Sequence, residues 1–415
     1  MATPQTDKSQ GNNTKVSDTE MRQGITSQVN WFIFVVIMVL IIAVLILASK
    51  MFRVWLCLNR MEIYKSNELK QRSIIDISNI SDTSKLRDFY IASAYRPYVC
   101  YYHKYDYVSL EVFKQVLAAG PRMVELEVFN SDYGDKVEPV VSVGEEVGDW
   151  TYTLNSIPLK SFFKVIASHV FNSQMVGQVH KDPFILFLNL KTNRNVKCLN
   201  KIHKYLYDEL GRHLLSSNYS YNARENDSIR DITLATAKGK VIVFASGDFE
   251  ESNLTELINY SIASNYTLKN KKNQRRILYL NQKDIVETEE DIEDYVNPEH
   301  HKLDKEHLKK YNKYSFSILS PQIGEDSLFD GISPVNFEAG KGLESGCQFI
   351  MMNYQKIDTN MSNYVYLFKD SSFVPKPAEQ ISASTPTNVV FEGGKVEEVK
   401  LNLSEINYLY TMAIK

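Results

Sequence analysis

The sequence predicts an α/β fold, closed as a TIM-like (β/α)8 barrel and preceded by one transmembrane helix. The first observation behind this is an uncharged apolar run from Trp31 to Ser49, WFIFVVIMVLIIAVLILAS. The second is an alternation of short segments rich in Val, Ile, Leu and Phe with helix-like ones over residues 85–380. The third is the length of that region, about 300 residues, which suits one barrel around one substantial core. An open doubly wound sheet is the competing arrangement. No Gly-rich phosphate loop opens a helix after a strand, which counts against it.

As a helix the apolar run is about 28 Å long, enough to cross a hydrocarbon layer of ~30 Å. It exceeds the roughly 7–15 residues of a signal-peptide core and begins after a polar stretch, so a retained span is expected. Lys50, Arg53, Arg60, Lys65 and Lys70 follow it, against Lys15 and Arg22 close before it, a bias that puts the larger C-terminal part on the cytosolic side. Cys57, Cys100, Cys198 and Cys347 are widely separated, in keeping with a reducing compartment. Asn-X-Ser/Thr triplets at Asn218, Asn226, Asn253, Asn259 and Asn265 would matter only in a lumenal domain. A net charge of −3 gives no case for nucleic-acid binding.

Residues 1–30 read as a polar, loosely ordered head, 31–50 as the span, and 51–84 as a juxtamembrane linker whose first residues, Met51 to Leu58, can extend the helix. Strands are expected at 122–130, 139–143, 184–190, 240–246 and 276–280, and helices at Ser109–Ala119, Leu159–Phe171 and Ile202–Leu215. The barrel is divided into 85–266 and 312–380 by a charged linker, 267–311. That linker carries a basic cluster, Lys269, Lys271, Lys272, Arg275 and Arg276, then an acidic run from Glu287 to Tyr295. Such runs are usually solvated; the basic one is also a candidate contact for anionic headgroups. His300 and His301 have the spacing of a solvated helix rather than a metal site, and His103 reads as an exposed loop or helix-start residue. Residues 381–415 alternate around Gly393-Gly394 and read as a hairpin-like extension against the barrel or a partner.

The segments FYIASAYRPY (89–98), GPRMVELEVFN (120–130), PVVSVG (139–144) and DPFILFLNL (182–190), followed by SPVNFEAGKGLESGCQFIMMNYQ (333–355) and YLFKDSSFVPKP (366–377), resemble the two catalytic halves of eukaryotic-type phosphoinositide-specific phospholipase C. The resemblance implies a distorted barrel of phospholipase C type assembled from both halves. It also implies a chemistry in which two histidines exchange protons and a calcium ion, held by carboxylates and an Asn, offsets charge developing on the phosphate.

Measured against those motifs, the chain departs at most functional positions. Tyr95 stands where the first His is expected and Arg96 where the calcium-ligating Asn is expected; Val143 stands at the second His. A phenol is a poor base at neutral pH, and a guanidinium has no acceptor for a cation. Glu125 and Glu127 match the two strand carboxylates and share one face, while Asn189 stands where a further carboxylate belongs. Arg96 is therefore expected to replace the cation and pair with Glu125 or Glu127. Phe244 and Ser246 occupy the positions of two phosphate-gripping lysines, and Ile318 and Ser320 those of an Arg and a Tyr. Lys238, Lys240 and Asp248 could compensate only from displaced loops.

The expected function is a non-catalytic structural or docking module on a membrane, with the bilayer and protein partners as its contacts and no cofactor. The alternative is a calcium-dependent phosphoinositide phosphodiesterase with a rearranged site. Small tethered barrels of this kind are similar to proteins of large double-stranded DNA viruses, which would put the chain in a virion inner membrane.

Overall fold

The structure is a computed structural model that describes residues 18–65, 83–133, 136–144, 151–221, 223, 232–247, 249–263, 276–286, 303–321 and 336–382. The basic cluster from Lys269 to Arg275, the acidic run, His300-His301, Asp248, Asn226, Asn265 and the C-terminal extension beyond residue 382 lie outside the described residues.

The chain divides into two compact units, Met1–Phe52 and Arg53–Lys415. In the first, helix α1 (Asp18–Arg60) begins inside the stretch read as a polar head and continues past the unit's end. Its residues from Thr26 to Ser49 are exposed along the whole length, which the core helix of a soluble protein would not be. Among the described residues it is the one helix long and apolar enough to cross a membrane.

The second unit is a closed barrel of eight parallel strands with helices between them. Strands are numbered along the chain: β1 (Phe89–Ala94), β2 (Met123–Tyr133), β3 (Lys136–Val141), β4 (Ile157–Pro158), β5 (Phe184–Lys191), β6 (Val241–Ser246), β7 (Tyr260–Ala263), β8 (Arg276–Asn281), β9 (Ile285–Val286), β10 (Leu303–Asp304), β11 (Ser317–Ser320), β12 (Phe349–Met352) and β13 (Phe373–Pro375). The barrel runs β1-β2-β5-β6-β7-β8-β11-β12 and closes between β12 and β1, every pairing parallel. β8 lies inside the stretch 267–311, so the charged region is interrupted by a barrel strand. β13 pairs antiparallel with the start of β1, and β3 folds back antiparallel on the outer half of β2.

Side-chain parity along the strands makes two apolar layers. Met123, Ile185, Phe187, Ile242, Phe244, Ile277, Phe316, Ile318, Phe349 and Met351 form the cluster inside the barrel. Val124, Leu126, Leu186, Leu188, Val243 and Ile350 belong to the larger cluster shared with the outer helices. The helix Leu110–Ala118 is capped by Ser109, whose hydroxyl accepts from Val112 N–H at 3.4 Å. The helix Val196–Leu210 starts six residues before the expected Ile202 because Asn195 caps it, its side chain accepting from Cys198 N–H at 3.1 Å. Asn259 is buried with both ends of its amide bonded, to Val243 N–H and Tyr219 C=O, so this triplet is no glycan acceptor in the folded chain.

Residues Arg53 to Tyr64, expected as linker, are packed into this unit. Cys57 and Met61 are buried in the outer core, and the Tyr64 hydroxyl donates to Tyr354 C=O at 2.9 Å.

Candidate functional site

Inward parity carries on past the apolar filling to the C-terminal ends of the strands, where it turns polar. Met123 is followed by Glu125 and Glu127 on β2, Phe187 by Asn189 and Lys191 on β5, and Phe244 by Ser246 on β6. Ile277 is followed by Tyr279 and Asn281 on β8, and Ile318 by Ser320 on β11. Register sets Glu125 beside Phe187, Glu127 beside Asn189 and Asn189 beside Ser246. This is the end of a barrel where βα loops build sites.

Arg96 enters from the loop after β1 with a left-handed backbone, φ 41°, unusual for a residue with a Cβ. Gln355, in the loop after β12, holds it there by donating to Arg96 C=O at 2.7 Å and Val99 C=O at 3.1 Å. The Arg96 Nε–H donates to Glu127 Oε1. Lys191 Nζ donates to Glu127 Oε2 at 2.9 Å and to Gly144 C=O at 2.5 Å, and Gly144 N–H points at the same carboxylate oxygen at 3.4 Å. All three charged side chains are nearly inaccessible to solvent. Burial works to raise the Glu127 pKa, but Arg96 and Lys191 outweigh it and hold the carboxyl below its ordinary value.

Glu125 has a different environment. Its Oε1 accepts from Asn189 Nδ2 at 2.9 Å, Asn189 Oδ1 accepts in turn from Ser246 Oγ at 2.9 Å, and Glu125 Oε2 is buried with no hydrogen-bond partner. Burial, with the ionised Glu127 beside it, pushes the Glu125 carboxyl up to about 7 despite the pull of Arg96.

At the two positions where proton transfer was looked for, Tyr95 is buried under the Arg96 guanidinium, 4.9 Å from its ring centroid, and Val143 belongs to the outer core. Burial keeps the Tyr95 phenol well above its ordinary pKa, and Arg96 offsets only part of that. His103, expected to be exposed, is instead buried, stacked on Tyr95 at 5.4 Å with its Nδ1 3.3 Å from an Arg96 nitrogen. Burial and then the Arg96 charge push its pKa down to about 3, so it stays neutral and is a weak base at neutral pH.

Of the four phosphate-grip positions, Phe244 and Ile318 fill the barrel, Phe244 packing edge-on to Tyr260 and Phe349 at 5.2 and 5.4 Å. Ser246 is committed to Asn189, and Ser320 Oγ to Leu280 C=O at 3.3 Å and Asn281 Oδ1 at 2.9 Å. Lys240 precedes β6 at the opposite end of the barrel, its Nζ 3.3 Å from Arg212 C=O. Lys191, Gly144 and Gln355 were not singled out from the sequence. The signal for Lys191 was present, since it continues the inward parity of Phe187 and Asn189; the other two act through loops that carry no period.

A calcium ion takes six to eight oxygen ligands. Here both Glu127 oxygens are taken by cationic side chains, and the Asn189 amide N–H is turned toward Glu125. Among the described residues no group of three or more His, Cys, Asp or Glu is set to hold a metal. The residues present do not fit that ion.

Residues 83–246 match the family model described as phosphatidylinositol-specific phospholipase C, X domain. No curated protein matches the chain in sequence. Among solved structures, PLC21 of L. pealei superposes with a TM-score of 0.54 at 18% identity, over 72% of this chain and 38% of that one. PLC21 of S. officinalis does so with 0.53 at 16% identity, over 76% and 40%. The chain thus spans about two fifths of the length of those two proteins, and at such identities the likeness is one of fold. What the chain carries, then, is a barrel like that of phosphatidylinositol-specific phospholipase C, behind one long apolar helix.

Proposed function

We propose that this chain is a membrane-anchored, non-catalytic barrel that serves as a structural or docking module for proteins at a bilayer. The observation that carries the reading is the double engagement of Glu127 by Arg96 and Lys191, in the mouth where the resemblance would put a metal. A metal's positive charge is supplied there by two side chains that cannot leave. At the positions where the resemblance would put proton exchange, Tyr95 holds its proton and Val143 has none, and the neighbouring His103 refuses one. That leaves Glu125 as the group in the mouth raised toward neutrality, and it is the one that the activity test below removes.

The anchor is the uncharged run Trp31–Ser49, and the Lys and Arg excess after it favours the cytosolic side, or the corresponding face of a virion membrane. The test is hydrolysis of mixed phosphoinositide vesicles by the full chain, with calcium added and Glu125→Gln as the paired variant. The expected outcome is no turnover above background in either. Turnover that disappears in the variant would overturn the proposal in favour of the calcium-dependent phosphodiesterase.

A further inference from the structure

Residues 97–108 leave β1 as a loop closed on itself. Val99 pairs with Val108, Cys100 N–H donates to Tyr107 C=O at 3.0 Å, and Ser109 N–H donates to Tyr98 C=O at 2.8 Å. Inside the loop the buried Asp106 carboxylate accepts from Tyr102 N–H at 3.0 Å and from Tyr107 N–H at 2.9 Å, which fixes the turn that carries His103. His103 stacks on Tyr95 and lies against Arg96, so this turn forms one wall of the charge arrangement in the mouth.

A buried carboxylate needs its charge matched, and removing the partner is strongly unfavourable. Among the described residues the ion pair of Asp106 is with Arg53, a residue of α1. Arg53 Nε is 3.7 Å from the carboxylate, and its guanidinium is 4.9 Å from the Tyr102 ring centroid. Two turns along the helix Arg60 lies 4.5 Å from the Tyr101 ring centroid, and the rings of Tyr101 and Tyr102 meet edge to face at 4.8 Å. Cys57 lies between the two arginines in the outer core, followed by Met61. Tyr64 then donates to the carbonyl of Tyr354, the residue before the Gln355 that holds the Arg96 backbone. Arg53 to Tyr64, all within the barrel's own compact unit, therefore touch both loops that set Arg96 and His103. The loop's other flank is held through backbone groups, Tyr105 N–H to Tyr152 C=O and Leu154 N–H to Asp106 C=O, both 2.9 Å, which leaves the Asp106 charge to Arg53.

We propose that Arg53 and Arg60 are positioning residues for the mouth: the end of α1 straps the loop after β1 in place and thereby keeps His103 against Tyr95 and Arg96. This goes beyond the docking reading above and does not depend on it, because the strap would act in the same way on a catalytic mouth. Whatever draws the strap off the loop changes the mouth without touching it.

The test uses the full chain in detergent. One sample is treated with diethyl pyrocarbonate, which modifies unprotonated imidazoles that solvent reaches, and a second with a maleimide; both are mapped by mass spectrometry. In the parent His103 and all four cysteines are buried and should react slowly. Arg53→Ala with Arg60→Ala should speed modification of His103, Cys57 and Cys100 several-fold. Cys198, in the helix Val196–Leu210, and Cys347, before β12, should stay as slow as in the parent. Arg53→Lys with Arg60→Lys, which keeps both charges, should react like the parent. Should the alanine pair fail to fold, Asp106→Asn breaks the same ion pair from the loop side and is read in the same way. His103 as slow in the folded variant as in the parent would overturn the coupling. So would a rise shared equally by all four cysteines, because that is a general loosening of the fold.

Discussion

Arg96 is the residue around which the electrostatics of the barrel mouth are arranged. It sits at a left-handed backbone position, it is buried, and its charge sets the protonation of its neighbours: it helps lower Glu127 and His103 and opposes the rise of Tyr95. Removing it leaves a buried carboxylate with Lys191 alone. Arg96→Ala is expected to cost about 3–5 kcal/mol, the usual result of breaking a buried pair on one side. Replacing Arg96, Glu127 and Lys191 together by Met, Gln and Met should cost much less, and urea titration of the three proteins in detergent compares them. Glu125 gives a pH signature. Its carboxyl is raised in the fold, so the folded chain holds a proton that the unfolded chain releases, and stability falls as pH rises from the ordinary carboxylate range to about 7. Glu125→Gln should therefore melt higher than the parent at pH 7.5 and alike at pH 4.5. Lys376 gives the opposite slope. Burial lowers it to about 7, so the fold excludes a proton that the unfolded chain binds, and stability climbs with pH from about 7 toward the ordinary lysine range. Lys376→Met should flatten that climb between pH 7 and 8.5, below the range in which the neighbouring Cys347 thiol, raised by burial, adds a slope of its own.

At the scale of elements, what the sequence made legible was whatever has a local period. The strands at 184–190, 240–246 and 276–280 and the helices from Ser109 and Leu159 appear within a residue or two of their expected bounds, because two-residue and helical repeats declare themselves. The same parity put Glu125 and Glu127 on one face. The helix start at Val196 was missed because its cue is the Asn195 cap, preceded by two left-handed residues, Asn193 and Arg194, which no apolar period reports. The burial of His103 was missed because it depends on Tyr95 and Arg96, partners brought in by a loop rather than by a strand. The packing of Cys57, Met61 and Tyr64 was missed for the same physical reason, since their partners include Tyr354, far along the chain. Tyr64→Phe removes one buried hydrogen bond and is expected to cost about 0.5–1.5 kcal/mol in the same titration. Gly247→Ala should cost more. The residue has φ +86°, and an added Cβ would press on the backbone oxygen of Leu190 directly behind the mouth.

For the whole molecule, the closed barrel explains how the fold stands on its apolar layers whatever side chains line the mouth. Closure rests on the outer and inner apolar layers, and Phe244 and Ile318 extend the inner one into positions that the resemblance gives to phosphate contacts. The mouth then keeps two carboxylates on one strand and supplies the opposing charge from its own chain. A barrel so arranged can present its rim and loops to a membrane or a partner without an ion to bind or lose. The most direct test of that arrangement is a calcium titration of the full chain in detergent, followed by melting temperature. A ligand that binds the native state must raise it in proportion to the logarithm of its concentration. With Arg96 and Lys191 in the place of the ion, the melting temperature is predicted to stay constant from zero to millimolar calcium. A rise that grows with calcium and is abolished by Glu125→Gln would contradict the account.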